Sequence, residues 1–230
     1  MQAVILAAGQ GTRLRPLTYK TPKPMLLAAG RPLLEHNLRR LPAEIDEIVM
    51  VVGYLKEQIM DYFGEEYEGR KIIYIEQKEL LGTGHAVHIC RDIIRDRFLA
   101  FMGDDIYDAG DMKKCLAHRQ AMLVSEVNGP FVGGRIVLDQ EGRLNDIVEG
   151  SHPAGRNFLN AGLYVIDKIF FDYELVNLPG RNEYGLPQTL VKAARDLPVN
   201  IEIAGDWLQV TDLEGFIKAD KALTRQTPLR

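Results

Sequence analysis

The amino-acid sequence predicts an α/β fold: a predominantly parallel central sheet flanked by helices, followed by a smaller antiparallel part. Three observations predict it. Short apolar runs of strand length, at residues 3–8, 47–52 and 98–102, alternate with amphipathic segments through the first half. Each run stops at a glycine, Gly9, Gly53 or Gly103. Beyond residue 128 the alternation gives way to successive strand-like segments with few helical stretches between them.

Taken in order, residues 3–8 read as a buried strand, and Gly9 and Gly11 frame the turn after it. Leu34, Leu38 and Leu41 place a short amphipathic helix over residues 33–41, begun near Pro32. After the strand at 47–52, Leu55, Ile59, Tyr62 and Phe63 share one face of a helix over 55–63. Residues 71–75 complete a β-α-β-α-β alternation. A polar loop, 76–86, then leads into a helix expected to run to about residue 95, with Thr83 as its N-cap. The strand at 98–102 precedes a helix at 109–120 and a strand at 121–127. In the second half, strands are expected over 133–138, 144–149, 158–166 and 199–204, with helices over 167–175, 187–195 and 213–223.

Length and composition narrow the class. A chain of 230 residues, 46% hydrophobic and 26% charged, can bury one large core as a single α/β domain. A net charge of −4 without a long basic run argues against nucleic acid or an anionic membrane as partner. Small anionic substrates need only a local cluster of cations. Cys90 and Cys115 form neither a disulfide framework nor a C-x-x-C site, and read as buried residues in a reducing compartment. The N-terminus has no basic leader region, and no apolar run reaches the length of a bilayer span. A cytoplasmic protein is expected.

The chemistry concentrates in the first forty residues. A strand, a glycine turn and two cations, Arg13 and Arg15, are followed by Lys23 between Pro22 and Pro24. Glycines let backbone N–H groups close on an anion, arginine recognises oxygens in a planar fork, and lysine adds a point charge. The prolines are expected to hold Lys23 on a stiff, extended segment. Neither of two common phosphate motifs fits. No Lys-Ser/Thr follows the glycines as in a P-loop, and Leu14 stands where a dinucleotide fingerprint needs its third glycine.

The runs LAAGQGTRLRPLT, TPKPML and GRPLLEH closely resemble the signature of sugar-1-phosphate nucleotidylyltransferases, the NDP-sugar pyrophosphorylases. The resemblance implies a Rossmann-like fold with a nucleotide-binding half (about 1–127) and a sugar-phosphate-binding half (about 128–230). It implies transfer of a nucleotide from an NTP, UTP or dTTP in preference, to a sugar 1-phosphate, glucose 1-phosphate in preference, with Mg2+. Leu6, Ala8, Gly9, Gly11, Thr12, Arg13, Gln77, Gly82 and Thr83 then match nucleotide-binding positions, and Arg13 and Lys23 the catalytic cations. Gly134, Glu149, Asn160 and Gly162 match sugar-phosphate-binding positions. Asp104, after a buried strand and a glycine, matches a magnesium ligand, while Asp105 stays undecided. Asp108 and Asp111 read as loop acids or caps. Dimers and tetramers are common among similar enzymes, so a homo-oligomer is compatible with the resemblance. Some similar enzymes continue into an acyltransferase-like β-helix; none is expected after the final helix here, unless the sequence is a truncated one.

Two departures from the family pattern stand out. Glu149 is followed by Gly150-Ser151-His152-Pro153 and lacks the Lys-Pro that grips the sugar's phosphate in many relatives; Arg156, Lys168 and His152 are the candidate replacements. Gln209 stands where relatives often carry a second metal aspartate, leaving Gln209, Thr211 and Asp212 as candidates, with Asp212 equally readable as a cap of the last helix. These departures support two alternatives. One is a guanylyl- or cytidylyltransferase acting on another sugar or polyol phosphate. The other is a regulatory subunit that binds nucleotide or sugar phosphate without catalysis. A nicotinamide oxidoreductase is disfavoured by Leu14. No histidine pair has metal-ligand spacing, and His36, His85 and His88 read as structural.

Overall fold

The computed structural model describes residues 1–226. Its elements, in chain order, are β1 (Gln2–Ala7), β2 (Leu27–Ala28), β3 (Arg31–Pro32), α1 (Leu33–Leu38), β4 (Glu47–Val52), α2 (Lys56–Phe63), β5 (Glu66–Tyr67) and β6 (Arg70–Glu76). Then come α3 (Gly82–His88), β7 (Phe98–Met102), α4 (Ala109–Leu116), β8 (Ala121–Val127), β9 (Phe131–Leu138), β10 (Leu144–His152) and β11 (Asn157–Ile166). The chain closes with β12 (Val176–Asn177), β13 (Tyr184–Gly185), α5 (Leu186–Ala193), β14 (Asn200–Ile203) and α6 (Leu213–Gln226).

One sheet runs in the order β10-β9-β11-β7-β1-β4-β6-β5, with β8 paired to β11 and β14 to β8. Its centre is parallel: β1 pairs with β4 from Gln2↔Glu47 and with β7 from Gln2↔Phe98, and β4 pairs with β6. The antiparallel strands join this same sheet through β11, which pairs with β7 from Leu163↔Phe101. In β1 every residue is buried because helices cover both faces. Ala3, Ile5 and Ala7 pack toward residues of α1, α2 and α4, whereas Val4 and Leu6 pack toward α3 and α5. A third cluster, Leu14, Leu26, Ala28, Leu33, Val210, Ala219 and Leu223, fastens the loop after β1 to α6.

Several expectations are corrected. Residues 167–175 form only a 3-10 turn, Lys168–Asp172, capped by Asp167 Oδ1 on Ile169 N. Phe170 and Phe171 are pulled into the core there, and aromatic side chains favour a regular helix little. Helix α3 ends at His88, and turns replace its expected continuation to residue 95. Lys23 opens a 3-10 turn, Lys23–Met25, closed by Met25 N to Pro22 O at 2.8 Å, so its stiffness comes from a turn and not from extended backbone. Asp111 and Asp105 are buried. Asp111 accepts from Gly205 N at 2.7 Å and pairs with Lys114, while Asp108 caps α4 through Gly110 N. Both cysteines are fully buried, and burial pushes each thiol up to about 12. Among the described residues no helix is long and apolar enough to cross a membrane.

Candidate active site

The loops that follow β1, β6 and β7 leave the same edge of the sheet, at the carboxyl ends of the parallel strands. In open α/β sheets that edge is where ligands bind. A cleft with three adjoining lobes lies there, and Arg13 and Leu178 line all three.

The first lobe, about 540 Å³, is walled by Leu6, Ala8, Gly9, Gly11 and Thr12 from one side and by Gln77, Gly82 and Thr83 from the other. All nine nucleotide-binding candidates, Arg13 included, line it. The turn is tightly built: Gly11 sits at φ 60°, its carbonyl accepts from Leu14 N at 3.0 Å and from Thr18 Oγ1 at 2.8 Å. That turn sets Arg13 in a 3-10 turn with its side chain exposed to the cleft. No carboxylate pairs with it among the described residues. Arg15 instead lies over the Tyr19 ring at 5.4 Å.

Opposite, the chain from β6 to α3 is clasped by the β12–β13 hairpin. Tyr184 N donates to Leu81 O at 2.7 Å, and Leu186 N to Thr83 Oγ1 at 3.2 Å. Thr83 is therefore a tie to the hairpin and not the N-cap of α3, whose preceding residue is Leu81 without a side-chain cap. Gly82, at φ +87°, is where the two segments press closest: a Cβ there would lie 2.6 Å from Tyr184 O.

The second lobe, about 260 Å³, brings together Arg13, Lys23, Asp104, Asp105, Glu149, Asn160, Gly162, Gln209 and Thr211. Lys23, only 8% exposed, reaches Asp104 Oδ2 at 2.5 Å. Asp105 instead accepts from Val210 N at 2.9 Å and Trp207 Nε1 at 3.2 Å, so it fastens the 207–211 segment to the floor of the site. Burial pushes its carboxyl up to about 7; Asp104 adds to this and Lys23 opposes it. Gly162, at φ +76°, sits in a bulge of β11 against Met102 and Tyr107, and Asn160 Oδ1 accepts from its N–H at 3.0 Å. Glu149 Oε1 accepts from Gln188 Nε2 at 2.8 Å. Gly134 lies beside Glu149 across the β9–β10 pair and lines none of the three lobes.

Asp212 does not join this cluster. It is exposed, its Oδ1 accepts from Gly215 N at 2.9 Å, and Phe216 N donates to its carbonyl at 3.0 Å, which is the arrangement of a helix cap at the start of α6. Gln209 and Thr211 bring side-chain oxygens to the lobe that Asp104 lines. No group of three or more His, Cys, Asp or Glu side chains among the described residues could hold a metal alone. One carboxylate beside neutral oxygens nevertheless fits magnesium, which keeps several waters and completes its shell with substrate phosphates.

The third lobe adds a residue that carries no sequence motif. Arg181, on the loop between β12 and β13, lines both the first and third lobes and faces the cleft that Arg13 enters from the other side. Only its neighbours hint at it, an exposed Pro-Gly-Arg turn between strand-like residues. None of the three replacements read from the sequence lines a lobe. Arg156 pairs with Glu126, His152 is buried with Nε2 at 3.1 Å from Gly133 O, and Lys168 lines none of the three lobes.

Known proteins share this architecture. The chain is 36% identical over 225 residues to the bifunctional protein GlmU of Methanocaldococcus jannaschii, covering 97% of this chain and 54% of that protein. It thus spans about half the length of the GlmU relatives it matches. To the UTP–glucose-1-phosphate uridylyltransferase AglF of Haloferax volcanii it is 34% identical over 239 residues, covering 99% of this chain and 98% of the other. The fold also matches a Bacillus anthracis crystal structure described as a glucose-1-phosphate thymidylyltransferase in complex with sucrose, with a TM-score of 0.85 at 22% identity over 100% and 97% of the two chains. Residues 2–226 match the family described as nucleotidyl transferase, and with the near full-length likeness to AglF this establishes that the chain belongs to that family.

Proposed function

We propose that this protein transfers a nucleotidyl group from a nucleoside triphosphate, UTP or dTTP, to a sugar 1-phosphate, glucose 1-phosphate first among them, with magnesium. An NDP-sugar forms and pyrophosphate leaves. The observation that carries the proposal is Arg13 at the meeting point of the three lobes, with a nucleotide-sized wall on one side and the Lys23–Asp104 lobe on the other. The likeness to AglF over nearly its whole length supports the choice of uridine and glucose.

The chemistry follows from charge. The attacking oxygen belongs to a phosphomonoester whose second pKa is near ~6, so it needs no strong base at neutral pH. The obstacle is bringing two anions in line, and the protein meets it with cations fixed before the substrates arrive. Arg13 neutralises the triphosphate and the departing pyrophosphate. Lys23, freed from Asp104 as phosphates enter, bridges the sugar phosphate and the α-phosphate. Arg181 supplies, from the opposite wall, the cation that the Glu149 segment lacks. Asp104, with Gln209 and Thr211 lining the same lobe, would hold magnesium, which when bound neutralises phosphate oxygens. Glu149 and Asn160 offer hydrogen bonds to sugar hydroxyls, and Gly162 lets the ring approach the β11 backbone.

Pyrophosphate release across UTP, dTTP, CTP, GTP and ATP, each with magnesium and a set of sugar 1-phosphates, tests the proposal. A productive pair containing UTP or dTTP is expected. A chain that binds nucleotide by calorimetry yet turns over no pair is a regulatory binder, and the proposal fails.

A further inference from the structure

We infer that His85 is a positioning residue that sets which nucleobases the cleft accepts, by locking the Gln77 amide with its oxygen toward the base; the inference rests on the nucleotidyltransferase reading. Gln77 leaves β6 with its own N–H on Val52 O at 2.8 Å, and its side chain is 5% exposed. Nε2 lies 3.0 Å from Gly82 O and 3.1 Å from His85 Nδ1. A carbonyl only accepts, so the atom beside Gly82 O must be the amide nitrogen, and the orientation of the amide is determined. Its second hydrogen is left for His85, whose Nδ1 therefore accepts and whose ring proton sits on Nε2.

With both hydrogens committed, Oε1 is the polar atom Gln77 has left for the lobe it lines with Leu6, Leu80 and Ala86. No protein donor reaches that oxygen among the described residues. Among apolar walls an unpaired acceptor is costly, and an acceptor facing an acceptor is worse. Uracil, thymine and guanine carry an imino N–H that can donate to it. Cytosine and adenine present a lone pair at the equivalent ring nitrogen. The lock is needed for this discrimination. One hydrogen bond lets the amide swing about the line from Nε2 to Gly82 O; the second, to His85, fixes its plane. The frame is held in turn, since Gly82 and its neighbours are tied to β13 through Tyr184 N and to the start of α5 through Leu186 N.

The test is kcat/KM for UTP, dTTP, GTP, CTP and ATP in the wild type, His85→Leu and His85→Asn. The wild type should favour the imino N–H bases over CTP and ATP by roughly tenfold to a hundredfold. His85→Leu should lower the UTP-to-CTP ratio about tenfold, and His85→Asn, whose Oδ1 stands near the place of Nδ1, should recover it. A merely structural histidine would reduce all nucleotides alike and leave the ratio unchanged, which overturns the inference. So does a wild type that prefers CTP or ATP, whatever becomes of the variants. A wild type that turns over no nucleotide defeats the nucleotidyltransferase reading instead. Calorimetry with UDP against CDP then decides on His85 separately: equal binding in the wild type overturns it, and a UDP preference lost in His85→Leu sustains it.

Discussion

Gly82→Ala is the sharpest perturbation of the clasp between the β6–α3 loop and the hairpin. Two costs add. An L-residue held at φ +87° costs about 1–2 kcal/mol of backbone strain. The new Cβ would also stand 2.6 Å from Tyr184 O and 2.9 Å from Tyr184 N, both main-chain atoms that no rotamer change can move aside. The hairpin must lift, and the bonds from Tyr184 N to Leu81 O and from Leu186 N to Thr83 Oγ1 are lost or stretched. At about 0.5–1.5 kcal/mol net for each, the sum is about 2–5 kcal/mol. Gly180 provides the control. It lies on the loop of the facing hairpin at φ +73° with nothing within 4 Å of its would-be Cβ, so Gly180→Ala carries the strain without the collision. Urea unfolding of both variants, with unchanged m-values, isolates the difference. Because Arg181 rides on the lifted hairpin, KM for the triphosphate should rise in Gly82→Ala as well. Equal stabilities for the two variants, within ~0.5 kcal/mol, would refute the collision and with it the clasp.

Other expectations follow from the same geometry. Lys23→Met should cut kcat by about 10²-fold or more while raising the affinity of the free protein for Mg2+, since the cation competing for Asp104 is gone; calorimetry showing weaker Mg2+ binding would contradict this. Asp212→Ala should cost about 1 kcal/mol, the worth of a helix cap, and leave Mg2+ affinity unchanged, whereas Asp104→Asn should abolish it; matching losses of metal would return Asp212 to the site. Arg181→Gln should raise KM for the triphosphate or sugar phosphate about tenfold at constant Tm, and an unchanged KM for both removes it from the cleft's work. His36 donates Nε2–H to Ala28 O at 2.8 Å, and burial, opposed by that bond, lowers its pKa below 6.5. The unfolded chain therefore takes up the proton first as pH falls. The contribution to stability is present above about 6.5 and lost as pH drops through the lower folded value. Tm between pH 8 and 5 should fall more steeply in the wild type than in His36→Gln, and parallel curves would clear His36 of the effect.

The parallel centre was legible because its strands are buried on both faces and read as unbroken apolar runs, which only a layered α/β sheet accommodates. The cleft was legible where the chemistry is local in sequence: Gly11, Arg13 and Lys23 lie within one loop, and Gln77, Gly82 and Thr83 within another. What was not legible depends on contacts between distant segments. Thr83 has every local mark of a cap, but its hydroxyl is taken by Leu186, 103 residues away. Asp105 and Asp104 are neighbours in sequence with opposite assignments, because Trp207 and Val210 claim one and Lys23 the other. Arg181 has no motif at all; its place comes from a hairpin whose position is set by Leu81.

The packing of Leu14, Leu26, Ala28 and Leu33 against Ala219 and Leu223, together with Ala29 N on Asp220 Oδ1 at 2.7 Å, has a consequence for synthesis. The segment that bears Lys23 leaves the ribosome well before the helix that seats it. Throughout translation the strands of the sheet's centre can pair while this segment still lacks its apolar support. The seat of the Lys23 segment is therefore completed late, after α6 has emerged. A nascent chain halted before residue 213 would carry Arg13 and Lys23 and still lack the apolar support that seats their loop.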